Sequence, residues 1–170
     1  LANFNNWKKI DPATCATWAA ILNSSSALST SPPMLWLLRM LPYKGPEESL
    51  LRHLSQHGVP KSNVLVTDML PLHSHLITKR QVDLFLDSLP YNAHSTAVEM
   101  LWAGVPVLTA PGRKMTARVG ASVLLQGRLG IEALVGRGPE GMVELGQRLL
   151  TVEGKRKLQR LREELKTRRE

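Results

Sequence analysis

The fold is decided by residues 82–108, which read VDLFLDSLPYNAHSTAVEMLWAGVPVL. The apolar run Val82–Leu86 is typical of a buried strand. So is Val105–Leu108, whose proline lies near the strand start, where a missing N–H matters least. Between the two runs, Ser95–Ala103 is predicted to be a helix that stops at Gly104. Strand, helix and strand at this spacing predict two parallel strands joined by a helical crossover.

The same alternation continues toward the amino terminus. Leu1–Phe4 has the character of a strand interior, and Met34–Leu38 and Val64–Val66 predict further buried strands. Three more helices are predicted: one capped by Asp11 with Pro12 as its first residue, one over Glu47–His57 before Gly58, and one over His73–Lys79. The serine-rich stretch 23–33 is predicted to be a surface loop. We therefore predict an α/β fold, a Rossmann-like parallel sheet flanked by helices, which binds ligands at the carboxyl ends of its strands.

Residues 1–135 are predicted to form a Rossmann-like, nucleotide-binding part, and residues 136–170 a helical, basic segment that belongs to the same unit. The net charge is +8, and eight basic residues fall within 155–169. Leu158, Leu161 and Leu165 recur there at helical spacing, which predicts an amphipathic helix with a solvated basic face. Nucleic-acid binding through this face is the alternative, although it has no interleaved aromatic residues.

Composition bounds the class of protein. A chain of 170 residues with 43% apolar and 21% charged residues is typical of one globular domain. No apolar run approaches the roughly 18 residues that a membrane-spanning helix needs. The single cysteine, Cys15, excludes an internal disulfide or a cysteine-based metal site, and it is compatible with a reducing compartment. No signal peptide is visible, although one could lie upstream of Leu1.

The most informative residues lie where the predicted strand Val82–Leu86 gives way to the next helix. The first turn of a helix presents unpaired N–H groups and a partial positive charge, which suit a diphosphate. His94, Ser95 and Thr96 add side-chain donors, and Glu99 lies one turn further, where it could accept hydrogen bonds from ribose hydroxyls.

The same residues have a purely structural interpretation. Thr96 and Glu99 match a capping box, in which each side chain would satisfy the other residue's backbone N–H. His94 would then be an ordinary loop histidine. The residues alone leave capping and ligand binding equally open.

Several collinear motifs resemble the protein O-linked N-acetylglucosamine transferase family, and its plant SECRET AGENT branch in particular. The central ones are Leu84–Asp87, Asn92–Thr96 and Leu101–Val107. Others agree in order and spacing over roughly residues 3–135: Phe4–Asn6, Lys9–Pro12, Leu35–Arg39, His75–Leu76, Pro111–Met115 and Ala117–Val119.

The resemblance implies the C-terminal lobe of a two-lobed, GT-B type glycosyltransferase. Such an enzyme moves N-acetylglucosamine from UDP-N-acetylglucosamine to serine or threonine hydroxyls of proteins, with inversion and without a metal or other cofactor. It also implies a cytoplasmic or nuclear location and protein acceptors as partners. The family's N-terminal lobe and tetratricopeptide repeats are not in this chain, so we expect the chain alone to be inactive.

The resemblance also assigns roles to individual residues. Lys9 would be the catalytic residue, neutralising the leaving diphosphate. His94, Ser95 and Thr96 would hold that diphosphate, and Glu99 would hold the ribose, where the animal enzymes have aspartate.

Three further positions depart from the family or admit a structural reading. Asn6 stands where the family commonly has glutamine, and His75 matches a histidine that lies against the uracil ring. Leu72 replaces a lysine that contacts the nucleotide, and we expect neither Lys79 nor Arg80 to compensate from its position.

Two alternative functions remain, one catalytic and one noncatalytic. A SPINDLY-like protein O-fucosyltransferase would share the lobe, although such proteins usually lack a histidine at the position of His94. A noncatalytic scaffold would be compatible with the loss of lysine at Leu72.

Overall fold

A computed structural model describes residues 1–25, 32–39, 44–126 and 132–167. Within these residues five strands form one sheet in which every pairing is parallel. The strands are β1 (Ala2–Asn3), β2 (Leu35–Arg39), β3 (Val64–Asp68), β4 (Phe85–Leu86) and β5 (Val107–Leu108). The parallel α/β fold predicted from the sequence is therefore confirmed.

Seven α-helices flank the sheet in the described part of the chain. They are α1 (Pro12–Ser25), α2 (Lys44–Gln56), α3 (Leu72–Lys79), α4 (Ser95–Trp102), α5 (Val119–Gln126), α6 (Gly138–Leu149) and α7 (Val152–Thr167). Short 3-10 helices cover Trp7–Lys9, Lys61–Asn63, Met115–Ala117 and Glu132–Leu134. No helix among the described residues is both long and apolar enough to cross a membrane.

The order of the strands creates the crevice in which a ligand is expected. Across the sheet the order is β3-β2-β1-β4-β5, so the chain builds outward from β1 on one side and then from β4 on the other. Sheets of this kind bind ligands where the order reverses, outside the carboxyl ends of the two central strands. Here those ends lead into residues 4–9 and residues 87–94, which are the segments that carry the predicted site.

The first helix links the sheet to that crevice. The carboxylate of Asp11 accepts hydrogen bonds from the N–H and the hydroxyl of Thr14, at 2.8 and 2.6 Å, which confirms Asp11 as the N-cap. One turn further, the buried indole N–H of Trp18 donates to the carbonyl oxygen of Asp87 at 3.0 Å. Helix α1 is thereby tied to the residue that follows β4.

The helix ends follow the predicted glycines. Gly58 and Gly104 have φ values of 85° and 78°, in the left-handed region that favours glycine, just after α2 and α4. Helix α6 packs closely on α1 through another glycine. A Cβ atom added to Gly146 would lie 2.8 Å from side-chain atoms of Ile21, so only a residue without a side chain fits there.

Two predicted element boundaries are wrong, and in each case a hydrogen bond accounts for the difference. Helix α1 continues through Asn23–Ser25 into the predicted loop, because the Asn23 amide donates to the carbonyl oxygen of His57 at 2.8 Å and holds the helix end against α2. The ladder of β4 is shorter than the apolar run, because the Val82 N–H bonds to the Lys79 carbonyl oxygen in the turn after α3. Residues 26–31 of the predicted loop, and residues 168–170, lie outside the described residues.

Helix α7 has the predicted amphipathic character, with one exception. Leu158, Leu161 and Leu165 are buried. Arg162, however, is not on the solvated basic face: its guanidinium donates to the carbonyl oxygens of Arg80 and Val82 and to the Asp83 carboxylate. This residue fastens α7 to the turn between α3 and β4.

Candidate functional site

Asp87 organises the segment between β4 and α4 (residues 87–94). Its fully buried carboxylate accepts hydrogen bonds from the N–H groups of Ser88 and Ala93, at 2.8 and 2.6 Å, and from the Thr109 hydroxyl at 2.7 Å. Burial raises the pKa of Asp87 to about 6, while these hydrogen bonds and the charge of Lys9 act in the opposite direction. Sequence reasoning missed this residue, although a carboxylate directly after a buried strand was a signal for it.

Asn92 and Ser88 complete the shape of the segment. The Asn92 amide donates to the Ser88 carbonyl oxygen at 2.8 Å, and its oxygen accepts from the N–H of Gly120 at 3.3 Å. The Ser88 hydroxyl donates to the carbonyl oxygen of Tyr91 at 2.7 Å. Because these polar groups are satisfied within the fold, the start of α4 is held in place before any ligand arrives.

Asparagines after β1 fasten the other side of the crevice to this segment. Asn3 donates to the Leu86 carbonyl oxygen at 2.7 Å, and its oxygen accepts from the N–H of Asn5 at 3.0 Å. The Asn5 amide in turn donates to the Ser88 hydroxyl at 3.0 Å. The two loops at the reversal of strand order therefore form one connected unit.

Lys9 extends from the first loop to the start of α4. Its ammonium donates to the carbonyl oxygen of Asn92 at 3.1 Å and lies 4.2 Å from the centre of the Tyr91 ring. The Tyr91 ring stacks on His94, with ring centres 4.9 Å apart. Desolvation by burial lowers the pKa of Lys9, opposed by the charge of Asp87. The structure thus brings Lys9 and His94 to the same helix entrance.

The start of α4 contradicts the capping-box interpretation. His94 is the N-cap and its side chain makes no capping hydrogen bond; the ring nitrogen Nε2 lies 3.4 Å from the Thr116 carbonyl oxygen. Ser95 is exposed and Thr96 half-buried at the first two helical positions. A capping box needs Thr96 outside the helix, and Glu99 is instead engaged by another residue.

That residue is Lys79, the last residue of α3. Its side chain is 0% exposed and its ammonium contacts Oε2 of Glu99, whose side chain is 38% exposed. His75, one turn earlier on α3, has its pKa lowered by burial and by the charge of Lys79, while the charge of Glu99 acts to raise it. The His75 ring lies 5.7 Å from the ring of Phe4. His75, Lys79 and Glu99 form one cluster, and sequence reasoning missed the part that Lys79 plays in it.

Asn6 has a local role in this structure. Its side-chain oxygen accepts a hydrogen bond from the N–H of Lys8 at 3.0 Å and caps the 3-10 helix Trp7–Lys9. This contact shapes the turn that presents Lys9. The oxygen of Asn6 is thereby used within its own loop.

A separate cavity of about 750 Å³ lies at the amino ends of the strands. Its lining includes Leu1, Met34, Gln81 and Arg162, and it contains none of the predicted site residues. Within the described ranges, no group of three or more His, Cys, Asp or Glu side chains is arranged to hold a metal ion. The residues predicted to bind the diphosphate lie instead after the carboxyl end of β4, where the Lys9 ammonium contacts the carbonyl oxygen of Asn92 just before α4.

Comparison with known proteins finds relatives of this chain. The sequence profile described as glycosyl transferase family 41 matches residues 1–170. The chain is 32% identical over 149 residues to a UDP-N-acetylglucosamine--peptide N-acetylglucosaminyltransferase of Caenorhabditis elegans, an alignment that covers 88% of this chain and 12% of the relative. It is 36% identical over 131 residues to a probable enzyme of the same name, SEC, of Arabidopsis thaliana, covering 76% of this chain and 12% of the relative.

A solved structure is also similar over nearly the whole chain. A mutant O-GlcNAc transferase of Thermobaculum terrenum superposes with a TM-score of 0.83 at 30% identity, covering 98% of this chain and 30% of that one. The chain thus spans 12% of the length of each of the two sequence relatives and under a third of the solved protein.

Proposed function

The chain belongs to glycosyl transferase family 41, and on that premise we propose that it is the donor-binding lobe of a protein O-linked N-acetylglucosamine transferase. The whole enzyme would move N-acetylglucosamine from UDP-N-acetylglucosamine to serine or threonine hydroxyls. This chain would supply the binding of the UDP moiety. The parallel sheet and the start of α4 support this assignment.

One observation carries the proposal: the ammonium of Lys9 lies 3.1 Å from the Asn92 carbonyl oxygen, at the entrance to α4. A diphosphate at this entrance would meet the ammonium, the His94 ring and the N–H groups of the first helical turn. In the chain itself the ammonium contacts a neutral carbonyl oxygen and an aromatic ring, and both contacts can be exchanged for a phosphate oxygen.

The chemistry that this arrangement supports is stabilisation of a leaving group. When the bond between the anomeric carbon and UDP breaks, negative charge develops on the departing phosphate oxygen. A positioned ammonium and a helix start lower the energy of that charge without having to reorganise. Attack by the acceptor hydroxyl from the opposite side would invert the anomeric carbon. Lys9 is therefore the proposed catalytic residue of this lobe.

The nucleoside half of the donor would bind at the cluster of His75, Lys79 and Glu99. Burial and the charge of Lys79 lower the pKa of His75, which favours its uncharged ring, and the ring lies beside Phe4, so it would offer a flat surface to a uracil ring. Glu99, with its side chain partly open to solvent, would accept hydrogen bonds from the ribose hydroxyls.

Calorimetric titration of the chain with UDP tests the proposal. We expect Lys9→Ala and His94→Ala each to weaken UDP binding by about tenfold, since each removes a charged or polar phosphate contact. Lys8→Ala is the matched control, because Lys8 is the exposed neighbour of Lys9 and should leave the affinity unchanged. Unchanged affinity in both site variants would contradict the assignment. Tighter binding of GDP than of UDP would instead favour the O-fucosyltransferase alternative.

A further inference from the structure

The ion pair between Lys79 and Glu99 joins a buried charge to an open site. The Lys79 side chain is 0% exposed, whereas the Glu99 side chain is 38% exposed. An ammonium removed from water is tolerated only when a partner offsets its charge, and the Glu99 oxygen Oε2 is that partner. The pair uses one of the two carboxylate oxygens of Glu99.

The position of Glu99 would otherwise be unfavourable for a diphosphate. Glu99 lies four residues after Ser95 on α4, which is roughly 6 Å along the helix axis. A diphosphate at the helix start would therefore lie within a Debye length of a carboxylate, and two negative groups at that distance repel each other. The unbalanced carboxylate would weaken the anion site that the helix start creates.

We propose that Lys79 is a positioning residue of the nucleotide site, whose buried ammonium neutralises Glu99 and holds its carboxylate so that one oxygen remains for the ribose. This inference rests on the proposed function. Lys79 lies at the end of α3 and would bring positive charge to the site. Residue 72, at the beginning of the same helix, is leucine where the family has lysine. The resemblance assigns no role to residue 79, and the contact with Glu99 alone points to it.

The test measures UDP, UMP and uridine binding to the chain and its variants by titration. Lys79→Met replaces the ammonium with an apolar chain of similar length and leaves Glu99 unbalanced. We expect the affinity for UDP to fall by about tenfold, that for UMP by less, and that for uridine by about twofold at most, because repulsion grows with ligand charge. Lys61→Met, the same change at an exposed lysine, is the matched control and should alter none of the three.

A second variant separates charge balance from simple loss of structure. Glu99→Gln should strengthen UDP binding in the Lys79→Met background, since it removes the unbalanced charge, and should change uridine binding there by about twofold at most. If Lys79→Met does not fold, the double variant contains no unpaired buried charge. Its affinities are then compared with those of the unmodified chain, and because both charges are removed together we expect losses for UDP, UMP and uridine that agree within about twofold.

Each outcome decides the matter. An equal loss for UDP, UMP and uridine in Lys79→Met, no recovery of UDP binding when Glu99→Gln is added to it, or, where only the double variant folds, a loss that grows from uridine to UDP would overturn the inference and leave Lys79 a structural residue. If the unmodified chain binds no UDP, the proposed function fails as well. If it binds UDP in a Lys9-dependent manner while Lys79→Met changes nothing, only the present inference fails.

Discussion

The two edges of the sheet use basic residues in opposite ways. At the amino edge, the guanidinium of Arg162 donates to the carbonyl oxygens of Arg80 and Val82 and to the Asp83 carboxylate. At the carboxyl edge, the ammonium of Lys9 contacts one neutral carbonyl oxygen and one aromatic ring. Positive charge is present at both edges, but Arg162 is paired with the Asp83 carboxylate, whereas the contacts of Lys9 described above are with neutral groups. The position of a positive charge therefore does not by itself locate an anion site. The groups that already contact the charge decide whether it can bind an anion.

Asp87 and Arg162 each take part in several hydrogen bonds, but these bonds have different structural effects. Asp87 is surrounded by donors that shape the loop of the carboxyl edge. The hydrogen bonds of Asp87 fix the segment that carries His94, whereas those of Arg162 hold α7 against the turn between α3 and β4.

The largest expected effect is on stability as a function of pH and comes from Asp87. Its folded-state pKa of about 6 lies above the ordinary value of 3.8, so the folded chain binds the proton more tightly than the unfolded chain does. The contribution of this group to stability is complete below pH 4 and is lost as pH rises through 6, by about 3 kcal/mol at most. Urea unfolding at pH 4, 5, 6 and 7 measures it.

Asp87→Asn is the variant that isolates this contribution. It keeps an acceptor for the loop N–H groups and has no titrating proton, so the difference in unfolding free energy between it and the parent chain should vary between pH 4 and 6. A difference that stays constant over this interval would show that the carboxylate is not desolvated as the structure describes.

An intermediate effect is expected at the amino edge. Arg162→Ala leaves two carbonyl oxygens and the Asp83 carboxylate without this donor, and it should lower the free energy of unfolding by about 2 kcal/mol. UDP affinity should not change, because the amino edge is distant from the proposed site. The exposed Arg160→Ala on the same helix is the control. A tenfold loss of UDP affinity in a folded Arg162→Ala variant would break the distinction between the edges.

The smallest effect is expected on the exposed basic face of α7. Replacing Arg156, Lys157 and Arg160 with glutamine should change stability by less than about 0.5 kcal/mol each, since all three are exposed. UDP binding should be the same as in the parent chain. Salt-dependent binding of nucleic acid that disappears in this triple variant would instead support the nucleic-acid alternative.

Much of the fold was predictable because it rests on local patterns. The apolar runs of β2 and β5, the Asp11 cap and the glycines after α2 and α4 each express a preference that a few neighbouring residues determine. Helix α5 was not predicted. Its sequence, VGASVLLQ, lacks a cap signal and a clear polar face, so nothing local distinguishes it from the loop before it. The extension of α1 through Asn23 was also not predictable, because it depends on a contact with α2.

The site was predictable in part for the same reason. The strand, polar turn and helix start around His94 are contiguous in sequence, and family resemblance added Lys9 from 85 residues away. The involvement of Lys79 was not predictable, since a lysine at the end of a short helix is ordinarily solvated and only packing shows that it is buried against Glu99. The capping-box interpretation was wrong because a pattern four residues long does not determine where a helix begins.

The sequence by itself determined the alternation of strands and helices, the polar turn after β4 and the amphipathic face of α7, because each depends on periodicity and on neighbours a few residues apart. The tertiary structure decided which partner each of three basic side chains contacts: Lys9 the Asn92 carbonyl oxygen, Lys79 the Glu99 carboxylate, and Arg162 the turn before β4. These partners lie 20 to 83 residues apart in the chain. Their contacts follow from the order of strands in the sheet and from the exclusion of water, and neither is written in any local stretch of residues.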